Sequence, residues 1–185
     1  MNKTIKAIFN ESIKVKQETL ALNQEAILNA ATSIKKALRY KRKIFLFGNG
    51  GSAADAQHIA AEFIGRFQKE RKAMAAIALT TDTSILTSIG NDYGFEYVFS
   101  RQIEGLAQAG DVAIGITTSG QSKNVLHGIR TAKKRKLVTI SLTGNQGGAL
   151  AKLTDININV PSKNTARVQE THICVGHVLC ELIEA

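Results

Sequence analysis

A repeated alternation of short apolar segments with longer helical stretches most constrains how this chain can fold. Five segments of four to six residues have the composition of strands, and they are 44–47, 74–79, 112–117, 138–142 and 156–160. Because most of their residues are apolar, we expect them to be buried on both faces of a parallel sheet. Strands that alternate with helices form βαβ units, so the sequence predicts an α/β three-layer sandwich with a parallel five-stranded sheet.

The residues before the first strand segment carry apolar side chains at intervals of three and four, which is typical of amphipathic helices. We expect two helices there, an N-terminal helical pair divided near Ala21–Asn23. A last helix is expected over 165–184, after a break at Pro161. No internal repeat or linker interrupts the chain, so we predict a single domain over residues 1–185.

The composition excludes several classes of protein. With 44% hydrophobic and 21% charged residues, and no apolar run long enough to cross a bilayer, the chain resembles water-soluble globular proteins. The first residues lack the apolar core of a secretory signal, which favours the cytoplasm. Cys174 and Cys180 match no zinc or redox spacing, and we expect them to be reduced core residues.

The net charge of +9 raises the question of a nucleic-acid partner. Basic residues cluster at 35–43 and 133–136, each just before a strand segment, where a helix should end. The helix dipole favours cations at that position. Since the few aromatic residues are not interleaved with these clusters, a surface for stacking bases is poorly supported. We therefore predict no nucleic-acid and no membrane partner.

Loops rich in glycine and hydroxyl groups follow the first, third and fourth strand segments, at the edge where parallel sheets bind ligands. Residues 48–55 read GNGGSAAD and open a helix, whose free N–H groups favour an anion. Residues 117–124 read TTSGQSKN and bring four hydroxyls to a second helix start, and 143–148 repeat the pattern. Four hydroxyls exceed what a helix cap needs, and the set is suited to a sugar phosphate.

Two pairs of polar residues lie in helical stretches. His58 and Glu62 are four residues apart, and Gln169 and His177 are eight apart, so that each pair lies on one face of its helix. Two imidazoles, a carboxylate and an amide are suited to proton transfer, metal binding or both. Either pair alone would be an ordinary set of helix residues, but together with the loops they indicate a site. His172 lies off that face and is expected to be structural.

These motifs, in this order, resemble the sugar isomerase (SIS) domain family and, within it, the phosphoheptose isomerases. The motifs are GNGGS at 48–52, HIAAE at 58–62, GRF at 65–67, GNDYGF at 90–95, TSGQS at 118–122 and RVQETH at 167–172 with His177. The resemblance covers nearly the whole chain and implies the SIS, flavodoxin-like fold. It also implies a ketose–aldose isomerisation of sedoheptulose 7-phosphate to D-glycero-D-manno-heptose 7-phosphate through an enediol, for ADP- or GDP-heptose and surface polysaccharide such as lipopolysaccharide.

The resemblance also assigns catalytic roles. Glu62 and His177 match the family's acid–base pair, with Glu62 working between C1 and C2 and His177 passing a proton between the two oxygens. Some members bind Zn²⁺ at the positions of His58, Glu62, Gln169 and His177, so one zinc ion per subunit is expected as a Lewis acid. Without metal, the same residues would work as acid–base groups.

The family pattern further places the substrate. The phosphate would bind Thr117, Thr118, Ser119 and Ser122, and the sugar would contact Asn49, Gly50, Gly51, Ser52, Glu62, Asn91, Asp92 and Gln169. Members of the family are homotetramers whose sites include residues from neighbouring subunits. Residues 1–40 are accordingly expected to be oligomerisation helices, since such helices are not stable alone.

A protein of a different class has the same fold and much of the same sequence. This is a non-catalytic SIS-domain regulator that binds the replication initiator DnaA. The regulator lacks the carboxylate at the position of Glu62 and the imidazole at the position of His177. Because a buried carboxylate and imidazole are costly to keep without a use, this pair favours the enzyme.

Overall fold

The computed structural model describes the whole chain, Met1–Ala185, as a parallel five-stranded sheet with helices on both faces. The strands are β1 (Ile44–Gly48), β2 (Ala76–Ala78), β3 (Val112–Thr117), β4 (Val138–Gly144) and β5 (Ile156–Val160). The helices are α1 (Asn2–Arg39), α2 (Gly51–Ile64), α3 (Thr83–Asp92), α4 (Val98–Leu106), α5 (Lys123–Lys134), α6 (Gly148–Leu153) and α7 (Thr165–Glu184), with a 3-10 turn at Phe95–Tyr97. The predicted three-layer α/β sandwich is confirmed.

The strands agree with the apolar segments except at β2, which is shorter than predicted. The segment 74–79 was expected to be a strand throughout, but only Ala76–Ala78 pair with β1. The backbone N–H of Met74 instead donates to the carbonyl of Phe63 at the end of α2. The edge strand is therefore limited to the residues that have a partner.

The order of the strands, β2-β1-β3-β4-β5, determines where a ligand can bind. The chain passes from β1 to β2 on one side and then crosses to β3 on the other side. The connections after β1 and β3 therefore diverge to opposite faces of the sheet, which leaves a crevice between them. The two loops that the sequence singled out, 48–55 and 117–124, lie on either side of this crevice.

The two faces of the sheet carry separate apolar cores. On β1, Ile44 and Leu46 belong to a cluster of 22 buried residues shared with α1, α2 and α7. Phe45 and Phe47 belong to a cluster of 14 shared with α4 and α5. This alternation follows from the period of two in a strand, and it explains why β1, which is buried on both faces, has no polar side chain.

The prediction of an N-terminal helical pair is wrong, because α1 is one continuous helix of 38 residues. The expected division near Ala21–Asn23 does not occur. In the structure, the Asn23 amide donates to the carbonyls of Thr19 and Asn159, and its oxygen accepts the backbone N–H of Asn159. Asn23 therefore fastens the middle of the helix to β5, and residues 2–39 contain no proline or glycine to stop it.

The basic clusters lie at helix ends, as expected, since Lys36 with Arg39, and Lys133 with Lys134, are in the last turns of α1 and α5. Both cysteines are free, but only Cys180 is a core residue, because Cys174 is half-buried at the groove between α1 and α7. Burial raises the pKa of the Cys180 thiol to about 12. None of the helices combines the length and the hydropathy that crossing a bilayer requires.

His172 is fully buried in α7, and its Nε2 bonds the Thr143 carbonyl at 3.0 Å. Burial lowers its pKa from 6.5 to about 4, although this hydrogen bond opposes the shift. An imidazole whose pKa is lowered by folding stabilises the protein above pH 6.5, and this stabilisation disappears as the pH falls towards 4. We expect His172 to account for about 3 kcal/mol of the loss in unfolding free energy over this range.

Urea denaturation of the parent and of His172→Gln, measured between pH 7.5 and pH 4.5, tests this expectation. The variant should be less stable near neutral pH, because it loses packing, and its stability should fall less steeply with acid. Parallel curves for the two proteins would contradict the expectation, because they would show that His172 binds no extra proton on unfolding.

Candidate functional site

Three side chains meet where the second halves of α2 and α7 pack together. His58 Nε2 lies 3.1 Å from Glu62 Oε1 and 3.3 Å from His177 Nε2. One ligand atom from each residue lies within 4.8 Å of the others. His58 and Glu62 are one turn apart on α2, and His177 comes from α7. The structure thus brings together both catalytic residues and three of the four metal ligands that the sequence predicts.

The cluster exists because α7 packs very closely on α2. Gly176 lies where the two helices meet, and a Cβ atom at that position would be 2.5 Å from Ile59 Cδ1. The missing side chain allows α7 to approach α2, and His177, the next residue, then lies beside His58. The two imidazole rings are 5.0 Å apart between centroids, in an edge-to-face arrangement.

Two of the three ligand separations match those of a small tetrahedral cation. Zn²⁺ binds imidazole nitrogen and carboxylate oxygen at about 2.0–2.1 Å, so neighbouring ligand atoms of a tetrahedral site are about 3.3 Å apart. His58 Nε2 lies 3.3 Å from His177 Nε2 and 3.1 Å from Glu62 Oε1, and the third separation, between Glu62 and His177, is within 4.8 Å. His58 and Glu62 keep exposed fractions of 49% and 23%, so an ion can enter from solvent.

Asp55 lies on α2 one turn before His58, and sequence reasoning missed it. Its Oδ2 is buried without a hydrogen-bond partner. Burial raises the pKa of this carboxyl to about 6, even though His58 nearby lowers it. Such a group prefers a cation close by, which agrees with a positively charged or metal-bound His58. The spacing of three residues from a predicted ligand is the signal that would have found it.

The hydroxyl groups of the loop after β3 do not cap α5. Thr117 Oγ1 and Ser122 Oγ are hydrogen-bonded to each other at 2.9 Å, and Ser119 Oγ accepts the backbone N–H of Gln121. Ser122 makes no side-chain cap to α5. The start of this helix therefore still has free N–H groups for an anion. Thr118 and Ser119 also line a polar pocket of about 270 Å³ with Lys163, a cation that sequence reasoning did not include.

The glycine loop after β1 is fixed to this second loop. Asn49 and Asn124 exchange amide hydrogen bonds of 2.9 and 2.8 Å across the crevice. Gly50 has a φ of +55°, which favours glycine, and it precedes α2 without any side-chain cap. Ser52 is buried in the first turn. The loop thus presents the start of α2 to the crevice.

Gln169 lies two turns before His177 on α7, and its amide packs against Gly51. A Cβ atom at Gly51 would come within 2.8 Å of the Gln169 Cδ atom. Gln169 therefore lies at the start of α2 and, within one chain, does not join the cluster of His58, Glu62 and His177. Its contribution to a metal site stays a prediction.

Asn91 and Asp92 are exposed at the end of α3 and hydrogen-bonded to each other at 2.8 Å. The structure does not join them to the cluster, and their contact with a ligand stays a prediction. The chain just beyond them does reach the crevice, since Phe95 and Glu96 line a pocket of about 290 Å³ with Asn49 and Ser122.

Comparison with known proteins places this site in a class. The model of the SIS domain family matches residues 8–144, which include the glycine loop, the α2 residues of the cluster and the hydroxyl-rich loop. The chain therefore belongs to the SIS domain proteins, in which a parallel α/β sandwich carries its loops at such a crevice.

Within this class, the similarity is to one group. The chain is 55% identical to the phosphoheptose isomerase of Aquifex aeolicus over 184 residues, which cover 100% of this chain and 96% of the relative. The phosphoheptose isomerase structure from Neisseria gonorrhoeae matches with a TM-score of 0.94 and 47% identity, over 99% of this chain and 98% of that one. The structure from Francisella tularensis matches with a TM-score of 0.94 and 38% identity, over 98% and 96%. The chain belongs to the phosphoheptose isomerase family.

Proposed function

We propose that this protein isomerises sedoheptulose 7-phosphate to D-glycero-D-manno-heptose 7-phosphate. The observation that carries the proposal is the meeting of Glu62 and His177 in a chain that also has a phosphate-type loop. The family membership supports the same activity. We propose further that the reaction takes place in the cytoplasm and supplies heptose for an ADP- or GDP-linked route to surface polysaccharide.

The reaction moves a carbonyl from C2 to C1, which requires a base for the C1 proton and an acid–base group at the two oxygens. Glu62 takes the proton from C1 and returns it to C2. His177 gives a proton to the C2 oxygen and accepts one from the C1 hydroxyl, so that the enediol forms and collapses without a free ion. Thr117, Thr118, Ser119 and Ser122 hold the phosphate end of the substrate.

A Zn²⁺ ion held by His58, Glu62 and His177 would polarise the substrate carbonyl as a Lewis acid. Within one chain, Gln169 does not reach this ion as the fourth ligand, because its amide packs against Gly51, two helical turns (about 12 Å) before His177. Asp55 supports this proposal, because its buried Oδ2 lies one turn from His58 and favours positive charge there. Without metal, the same residues act as acid–base groups, whereas a Glu62 that binds the ion tightly cannot at the same time be a free base.

The non-catalytic regulator is the second class that the sequence left open. The regulator lacks the residues that correspond to Glu62 and His177, and in this chain both are present and lie together in the cluster. The relatives described above are all phosphoheptose isomerases. These observations support the enzyme and not the DnaA-binding alternative.

Glu62→Gln should retain substrate binding and lose turnover. The amide keeps the size of the side chain but cannot take a proton, so kcat should fall about 10²- to 10⁴-fold.

Ser119→Ala should instead raise KM about 10- to 100-fold with a smaller change in kcat, since it removes a hydrogen bond to a charged group. Proton NMR of each protein with sedoheptulose 7-phosphate in deuterated water measures both, and deuterium incorporation reports the enediol.

A folded parent that forms no aldose phosphate in this experiment, with or without Zn²⁺, would overturn the proposed activity. A Glu62→Gln variant that keeps most of the parent's rate would leave the activity standing, but it would remove Glu62 as the base.

Zinc binding can be measured without activity. Competition with a chromophoric chelator should give one Zn²⁺ per chain for the parent. His58→Gln should weaken binding by about 100-fold or more, because it removes one imidazole ligand. His127→Gln is the matched control, since His127 lies on α5 against Tyr97, away from the cluster. Equal affinities of the two variants for Zn²⁺ would contradict the proposed site.

We propose that the protein is a homotetramer whose sites lie at subunit interfaces. In the single chain, α1 exposes a row of large apolar side chains, including Phe9, Leu20 and Leu28. A largely apolar groove of about 470 Å³ runs between α1 and α7. Exposed apolar surface of this extent marks an interface between proteins. The exposure of His58 leaves room for residues of a neighbouring subunit.

Light scattering should give the parent a mass four times the 20.0 kDa of the chain. Leu20→Glu should lower the mass, because it places a charge in the apolar groove. Leu106→Glu, at a residue that is also exposed but lies on α4, is the control and should leave the mass unchanged. A parent that behaves as a single chain would contradict the proposed tetramer.

A further inference from the structure

Glu184, in the last turn of α7, binds a segment far from it in the sequence. Its Oε1 accepts the backbone N–H of Phe67 at 2.8 Å, and its Oε2 accepts those of Gln68 and Lys69 at 2.8 and 2.9 Å. Arg71 Nε donates to Oε1 at 2.8 Å. The side chain is only 3% exposed. One carboxylate thus satisfies three consecutive backbone donors of a segment that has no regular structure.

Arg71 extends this contact to the end of α2. Its guanidinium donates to the carbonyls of Glu62 and Phe63 at 2.7 and 2.9 Å, as well as to the carboxylate of Glu184. The last turn of α7, the segment 65–72 and the last turn of α2 are therefore connected through two charged side chains. Charge-assisted bonds of this kind are stronger than neutral ones.

The segment held in this way carries Phe67, whose ring stacks on the imidazole of His177. The ring centroids are 5.3 Å apart and the planes are inclined by 28°. On its other side, the His177 ring meets His58. The ring of His177 is therefore confined between an aromatic side chain from the segment and the imidazole on α2.

We propose that Glu184 is a positioning residue of the active site, which holds the segment 66–69 so that Phe67 fixes the orientation of the His177 ring. The inference rests on the proposed function in so far as His177 acts on the substrate. Glu184 itself does not touch the reacting atoms. Its effect passes through the backbone of Phe67 to the aromatic contact.

The carboxylate form of Glu184 is stable under all working conditions. Burial raises its pKa, but the three backbone N–H groups and Arg71 lower it further, to about 2. The arrangement is therefore a permanent support for His177.

Glu184→Gln is the most direct test. The amide has one acceptor oxygen and one NH₂ group. Its NH₂ group would face backbone N–H groups that now donate to the carboxylate, and those hydrogen bonds would be lost. Glu181→Gln is the matched control, since Glu181 is exposed, lies one turn earlier on α7 and makes no side-chain ion pair. Both variants are compared with the parent in Zn²⁺-free protein and with Zn²⁺ added.

The first readout is the ring nitrogen signals of the histidines in ¹H–¹⁵N NMR of the substrate-free protein, of which the chain has only four. Glu184→Gln should shift or broaden the His177 signals and leave those of His127 and His172 unchanged. Glu181→Gln should shift none. This measurement does not depend on the substrate.

The second readout is kinetic. Glu184→Gln should lower kcat about 10-fold, with KM within about twofold, since a small displacement of a catalytic group costs rate and the phosphate site is intact. Phe67→Leu should give the same pattern. If Glu184 acts through Phe67, the double variant should be no slower than the slower single variant, within about twofold.

The outcomes separate this inference from the proposed function. Shifted His177 signals in a protein that does not turn over the heptose phosphate would support the positioning role and overturn the activity. In an active enzyme, unchanged His177 signals would overturn the positioning role. A double variant whose kcat falls by the product of the two single losses would overturn it as well. If Glu184→Gln does not fold, Glu184→Asp keeps the charge on a shorter side chain and should show the same His177 shift to a smaller extent.

Discussion

The contact between α7 and α2 is the interaction on which the rest of the site depends. Gly176 leaves no side chain between the two helices, and Ile59 occupies the space. The same contact brings His177 to His58, and two turns earlier it brings Gln169 to the glycine loop. A cluster built from two rigid helices is held more precisely than one built on loops. The phosphate-type loop then needs only to hold the other end of the substrate.

The hydroxyl-rich loop and the cluster of His58, Glu62 and His177 have different electrostatic environments. At the hydroxyl-rich loop, an anion would meet neutral donors and the start of α5, with Lys163 as a nearby cation, so that binding does not depend on a single buried charge. At the cluster, Glu62 and Asp55 supply negative charge next to two imidazoles, which suits a proton or a metal ion. The substrate that fits both has a phosphate at one end and a polarisable carbonyl at the other.

The sequence predicted the sheet and most of the site because these features are recorded locally. Apolar segments buried on both faces allow few other structures, and glycine and hydroxyl residues directly after them point to the ligand edge. The error at α1 has a physical reason, because Asn23, within the predicted break, has partners on β5 that hold it in a continuous helix. Phe67 and Glu184 were missed because their partners are fixed by packing rather than by spacing, whereas Asp55 did have a spacing signal, three residues before His58.

By itself, then, the sequence determined the α/β class, the order of the elements and the types of residue available for phosphate and proton chemistry. It did so because strand burial and helix periodicity depend on neighbours within a few positions. Only the tertiary structure decided that His58 and His177, 119 residues apart, have their nitrogens at 3.3 Å, and that Glu184 supports Phe67 beside them. Such distances depend on how closely two helices pack. The separation of α7 and α2 is determined by Gly176 and Ile59 together and by neither residue alone.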